Sequence, residues 1–191
     1  PVLAEVSQGV GLITTAPEVD GLVRRIPLVV NVQDNLYPTF ALEMLRVGTG
    51  DLSYQIITKE TGVEAIRIPS YPIISTDPYA RVWTTWNTQF YRQSAADYLK
   101  EPIEGATFVI FGVTAEGVAN PVPTPGGPKF AHEVQANLLH GLIHGDAPSE
   151  PVWAVAAEIA VAVIIILLLF FTATNIYLSV PIFLSAVAAL C

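Results

Sequence analysis

Apolar positions along this chain fall into short alternating runs, runs with helical spacing, and two kinds of uninterrupted run. Gly9–Thr15 (GVGLITT) predicts a strand, and Ala16–Gly21 a turn whose strongest signal is the Asp20-Gly21 pair. Leu22–Val32 (LVRRIPLVVNV) predicts a second strand, with Pro27 favouring an edge or a strand end. Pro38–Val47 carries Phe40, Met44 and Val47 at helical spacing, with Gly48 as its stop. Tyr54–Thr58 and Val63–Ile68 flank Lys59–Gly62 as a hairpin. Arg81–Trp86 is a short aromatic-rich strand after an Asp77-Pro78 turn, and Ser94–Lys100 a short helix with Ser94 as N-cap.

Thr107–Val113 (TFVIFGV) is almost continuously apolar, the pattern of a strand buried on both faces. A Gly- and Pro-rich loop, Gly117–Pro128, separates it from Phe130–Ile143, a helix with Val134, Leu138, Leu139 and Leu142 on one face. No internal repeat is present. The twenty residues Val152–Phe171 are apolar except for Glu158. As a helix they span roughly 30 Å, the hydrocarbon thickness of a bilayer. Thr172–Asn175 is a polar turn, and a second apolar run of 16 residues, Ile176–Cys191, contains Pro181, a kink that membrane helices tolerate. The fold expected is therefore α/β, a mixed sheet with flanking helices, followed by a transmembrane helical hairpin. Residues 1–150 form the soluble portion, 151–172 the first membrane helix and 176–191 a second, truncated one.

Charge sharpens this division. Sixteen of the 17 acidic and all nine basic residues precede Pro151, so the soluble portion carries −7 of the formal −8. A chain of pI 4.7 with no basic patch does not suit nucleic acid. The 52% apolar content is raised by the C-terminal runs, and about 150 residues is one domain's worth of core. Pro1 follows no initiator Met, charged n-region or apolar h-region, so the chain reads as an internal fragment of a longer membrane protein. The single cysteine, Cys191, excludes an internal disulfide. No Lys or Arg follows Lys129, so the positive-inside rule does not orient the hairpin. Glu158 lies near the Trp153 end of the first run, where a carboxylate snorkels to the interface.

Candidate chemistry is sparse. His140 and His144 are four apart on the predicted helix, a spacing that suits one metal. Gly141 stands where a zinc protease needs its general base, and histidines near a helix C-terminus are favoured by the dipole, so no metal site is assigned. Thr114 and Glu116 form a polar cluster at the end of the Thr107–Val113 strand, where α/β folds commonly place ligand sites. The loop lacks phosphate-cradle spacing. Arg24 and Arg25 are adjacent on a strand and so point to opposite faces, one solvated and one paired with a carboxylate such as Asp20 or available to an anion. Trp83 and Trp86 likewise face opposite sides, with at least one in the core. No nucleophile elbow or placed carboxylate pair is present, so residues 1–150 are not expected to be an enzyme, and no cofactor is implied.

Several segments, in order, resemble the second type of CHASE domain: PEVDGLVRRIPLVV (Pro17–Val30), LYPTFALEML (Leu36–Leu45), SAADYL (Ser94–Leu99), ATFVIFGVTAEGVANPVPTP (Ala106–Pro125) and EVQANLLHGLI (Glu133–Ile143). The resemblance implies a sensory, extracytoplasmic module of a bacterial transmembrane receptor at the inner (plasma) membrane. It also implies a further N-terminal portion, about three closing membrane helices, and an adenylate or guanylate cyclase or kinase output beyond Cys191. Partners implied are a small-molecule or environmental stimulus, the lipid bilayer and a second copy, since such outputs work in pairs. Two polar positions depart from the family pattern: Asn120 stands where an Asp often precedes the Thr-Pro pair, and Gln135 where a His often precedes Ala-Asn. The ligand-contact candidates are thus Arg24, Thr114, Glu116, Asn120 and Gln135. The alternative from another class is a membrane-anchored scaffold or binding domain without signalling output.

Overall fold

The computed structural model describes residues 6–115, 117–146, 148 and 153–173. It divides into two units, Pro1–Ser149 and Glu150–Cys191. The first is α/β, but its strands form three small antiparallel sheets in place of the single mixed sheet expected.

Proline explains the first departure. The predicted strand Leu22–Val32 is two: β1 (Arg25–Pro27) and β2 (Val29–Val32). Pro27 has no N–H to donate, and beyond it Leu28 turns to different partners, donating to the Ala80 carbonyl at 2.8 Å and accepting from Thr39 N–H at 2.8 Å. So β1 pairs with β7 (Arg81–Trp83), whereas β2 pairs with β3 (Asn35–Pro38). The β2–β3 hairpin turns through Gln33 and Asp34, at φ 51° and 63°. That is the two-residue turn with both central residues left-handed, reached here without glycine.

The predicted hairpin is present as β4 (Gln55–Lys59) and β5 (Gly62–Arg67), extended by β6 (Ile74–Ser75). The predicted Gly9–Thr15 strand is not. Among the described residues, that segment contributes one parallel bridge, Leu12 to Thr39.

Helix α1 (Phe40–Gly48) and helix α3 (Ala131–His144) pack against each other over one core. Ile26, Leu28, Leu42, Ile66, Val134 and Leu138 are at most 1% exposed. The apolar stripe on α3 falls as predicted: Val134, Leu138, Leu139 and Leu142 are all buried. Short helix α2 (Ala95–Tyr98) is capped by Ser94, whose hydroxyl accepts from Asp97 N–H at 3.1 Å. Helix α3 ends at Gly145, left-handed at φ 68°, a conformation that suits glycine. Of the two tryptophans, Trp86 is in the core and Trp83 lies half-buried under the Arg25 guanidinium, 5.1 Å from its ring centroid.

In the second unit, helix α4 (Ala154–Ala173) contains an 18-residue window, Ala154–Phe171, of mean hydropathy 3.0. Its length and composition suit a membrane span. Thr172 and Ala173, expected in the polar turn Thr172–Asn175, continue α4 instead, and the rest of that turn and the second apolar run, Ile176–Cys191, lie outside the described residues.

The largest departure is Thr107–Val113. It forms no strand, and Phe111 and Val113 are 61% and 56% exposed, where burial on both faces was expected. Phe108 packs against the core, its ring filling the space that a Cβ on Gly48 would occupy. At the other end, Gly112 lies against the His132 ring, which leaves no room for a side chain there. The segment is apolar enough for a buried strand, but among the described residues no strand pairs with it.

Candidate functional site: a cleft beside helix α3

Between this segment, residues 90–98 and α3 lies a cleft of about 1200 Å³. Its size exceeds the usual 300–1,000 Å³ of small-molecule sites. One wall is α3, whose period places His132, Ala136 and His140 four residues apart along the same side, with His144 following. All three histidines of the chain therefore line one cleft. The opposite wall is the backbone from Ala106 to Gly112, with Thr114 just beyond.

Three of the four polar side chains on the helical wall have a polar partner, and the fourth, His132, stacks on Phe130 with ring centroids 6.0 Å apart. The Glu133 carboxylate accepts from Phe130 N–H at 2.8 Å, satisfying a donor at the start of α3. Its other oxygen meets Arg92 at 2.5 Å. Among the described residues Glu133 is the only acidic one lining the cleft, and that pairing neutralises it. The His140 and His144 rings stack at 4.0 Å, 22° from parallel. His144 Nδ1 donates to the His140 carbonyl at 3.0 Å, so that nitrogen is not available to a metal. His140 Nδ1 lies 3.5 Å from the Thr88 hydroxyl. Among the described residues, no three His, Cys, Asp or Glu side chains gather as a metal site. Phe90 meets the His140 ring edge-on at 6.1 Å, and Tyr98 meets Phe111 edge-on at 5.5 Å. The cleft is aromatic, with one compensated ion pair.

The family model for the CHASE2 domain matches residues 1–174. The chain belongs to the CHASE2 family. CHASE2 is an extracellular sensory domain family of signalling receptors, and its domains are not catalytic. No curated protein and no solved structure matches the chain.

In this CHASE2 domain the four described ligand candidates, Arg24, Thr114, Asn120 and Gln135, do not share one site. Thr114 is exposed and lines the cleft. Glu116 lies outside the described residues. Asn120 is exposed on the loop after the cleft. Gln135 is fully buried on α3, away from the cleft, and its side-chain oxygen accepts from Ala41 N–H at 3.0 Å. Arg24 belongs to an ion cluster: it donates to Asp20 at 2.6 and 3.0 Å and to Glu18 at 3.2 Å. The neighbouring Arg25 donates to Glu18 at 2.8 Å and to Asp77 at 3.3 Å. The two arginines were expected on opposite faces, with one solvated. Arg24 precedes β1 and escapes strand alternation, so both reach Glu18.

The cleft residues Arg92, His132 and Glu133 were not singled out in the sequence. The i, i+4 spacing of His132, Ala136, His140 and His144 was the available signal that they share a wall.

Proposed function

We propose that this chain is the input module of a transmembrane receptor. It is held outside the plasma (inner) membrane by α4 and relays a stimulus through its membrane helices to a cyclase or kinase output domain. The CHASE2 match running from residue 1 into the apolar helix carries this reading. Support also comes from the connection. Only nine residues, from Gly145 to Trp153, separate the end of α3 from the start of α4, and Pro148 and Pro151 stiffen it. A change in how α3 packs reaches the membrane helix along that short path, and a coupling of about 1–3 kcal/mol is enough for a usable switch. The stimulus, a small molecule or an environmental change, acts in this reading on the packing around α3 and its cleft, with Thr114 at the cleft wall. Arg24, Asn120 and Gln135, the other described candidates, lie outside the cleft wall, Glu116 is retained as a candidate by sequence alone, and in this reading two copies associate so that their outputs are paired.

Sidedness and relay are tested separately. A cysteine at the exposed Val19, in a Cys191→Ser background, should label with a membrane-impermeant maleimide in intact cells. Labelling only after lysis would place the domain in the cytoplasm and remove the sensory reading. In the full-length receptor, inserting one alanine into the first turn of α4 rotates the rest of that helix by about 100° and should change output. Output indifferent to one, two and three inserted residues would leave an anchored scaffold.

A further inference from the structure

Every ring–ring contact among the described residues of the first unit lies in the lining of the cleft beside α3. Tyr91 and Phe111 line the same space and are 78% and 61% exposed, so ring surface is left for a further partner. A ring set edge-on or offset against others gains more than its buried area alone returns, which an aliphatic chain does not.

The one ion pair of the lining is lopsided. The Glu133 side chain is 11% exposed, and its carboxylate accepts from Phe130 N–H and meets Arg92. The Arg92 side chain is 71% exposed. It reaches Glu133 through Nη2, and among the described residues nothing else bonds its Nε or Nη1. A guanidinium presents its donors in a planar fork that fits a carboxylate. The charge offered to the cleft is therefore a cation, although the chain as a whole carries a formal −8.

We propose that the cleft binds a small planar aromatic acid, its ring among the aromatic side chains and its carboxylate on the Nε and Nη1 edge of Arg92. The inference rests on the reading above that the stimulus acts at this cleft, and it names the chemical class of that stimulus. The clustered rings select an aromatic ligand over an aliphatic one. Arg92 selects an acid over a neutral or cationic compound, because the carboxylate that balances it is itself buried and occupied. The volume of about 1200 Å³ admits a two-ring compound as readily as a one-ring one.

The test uses the full chain in lipid nanodiscs, with binding read by titration calorimetry against empty nanodiscs. Cinnamate should bind, and cinnamyl alcohol and octanoate should bind at least about tenfold more weakly. Arg92→Gln should weaken cinnamate by at least about tenfold and leave cinnamyl alcohol unchanged, which also shows that the variant is folded. Phe111→Ser alters an exposed side chain and should weaken both cinnamyl compounds. No cinnamate binding at millimolar concentration would overturn the proposal. So would octanoate or cinnamyl alcohol binding as tightly as cinnamate, or cinnamate binding that neither substitution weakens. The receptor reading fails separately. Cinnamate bound without any change in the full-length receptor's output leaves the site and defeats its relay, whereas output that answers another stimulus in a chain that binds no aromatic acid leaves the receptor and defeats the site.

Discussion

The side-chain oxygen of Gln135 accepts a hydrogen bond from the backbone N–H of Ala41 at 3.0 Å, across 94 residues of sequence. Ala41 is in the first turn of α1, where helix geometry leaves N–H groups without a partner, and the N-cap residue Thr39 makes no side-chain cap. Gln135 therefore caps α1 from α3, tying together the two helices that frame the core. Gln135→Ala should cost about 1–3 kcal/mol, because it leaves a buried donor unsatisfied. Gln135→His can present a ring nitrogen to the same N–H and should retain part of that stability. Urea denaturation of the three proteins checks the order. Equal stability of the Ala and Gln forms would show that the contact is not structural.

Acid should weaken the Glu18–Asp20–Arg24–Arg25 cluster. The hydrogen bond from Arg25 is the main cause holding the Glu18 carboxyl below its ordinary 4.5, and that from Arg24 the main cause holding Asp20 below 3.8. Both are depressed in the folded state, so their contribution is complete above the unfolded values and is lost as pH falls through the folded ones. The urea midpoint should hold from pH 7 to about 5 and decline below about pH 4. Arg24→Gln releases Asp20 and should flatten that decline. Superimposable profiles for parent and variant would rule the cluster out as its source.

Gly11 should not tolerate a side chain. Leu12 N–H donates to the Pro38 carbonyl and Phe40 N–H to the Leu12 carbonyl, each at 2.9 Å, strapping the N-terminal segment to the start of α1. A Cβ on Gly11 would fall 2.5 Å from Phe40 Cα and 2.7 Å from Phe40 N, both backbone atoms of a helix that cannot yield. Gly11→Ala should cost about 1–3 kcal/mol and open the strap. Faster amide exchange at Leu12 and Phe40 is the reading that confirms it.

Tyr71 links the β-sheet side of the domain to the end of α3. Its hydroxyl donates to the Leu142 carbonyl at 2.5 Å, satisfying one of the last carbonyls of the helix that precedes the apolar α4 in the chain. Burial pushes the phenol up from its ordinary 10.0, so it stays a donor at neutral pH. Tyr71→Phe should cost only about 0.5–1.5 kcal/mol. Exchange at the last turn of α3 should nevertheless rise, and the basal output of the full receptor should shift. A shift in neither would show that this end of α3 is not on the relay path.

Periodicity was legible wherever an element's own side chains decide its fate. The stripe Val134, Leu138, Leu139, Leu142 and the hairpin at Lys59–Gly62 lie as the pattern required, because each buries one face of a locally stable element. The Ser94 cap also stands, since its hydroxyl reaches a donor three residues away. Long-range partners were not legible. Nothing near Pro27 says that β1 will seek β7 while β2 seeks β3, and nothing near Gln135 says that it will cap a helix 94 residues earlier.

By itself the sequence determined an α/β domain, its two principal helices and an apolar stretch long enough to span a bilayer, since composition and period set these locally. The tertiary structure decided which strands pair, that both arginines converge on Glu18, and that three histidines share one cleft wall. It also left Thr107–Val113 outside any sheet, with Phe111 and Val113 exposed. Apolar side chains specify that a segment will be covered; only the arrangement of the rest of the chain decides whether a neighbour is there to cover it.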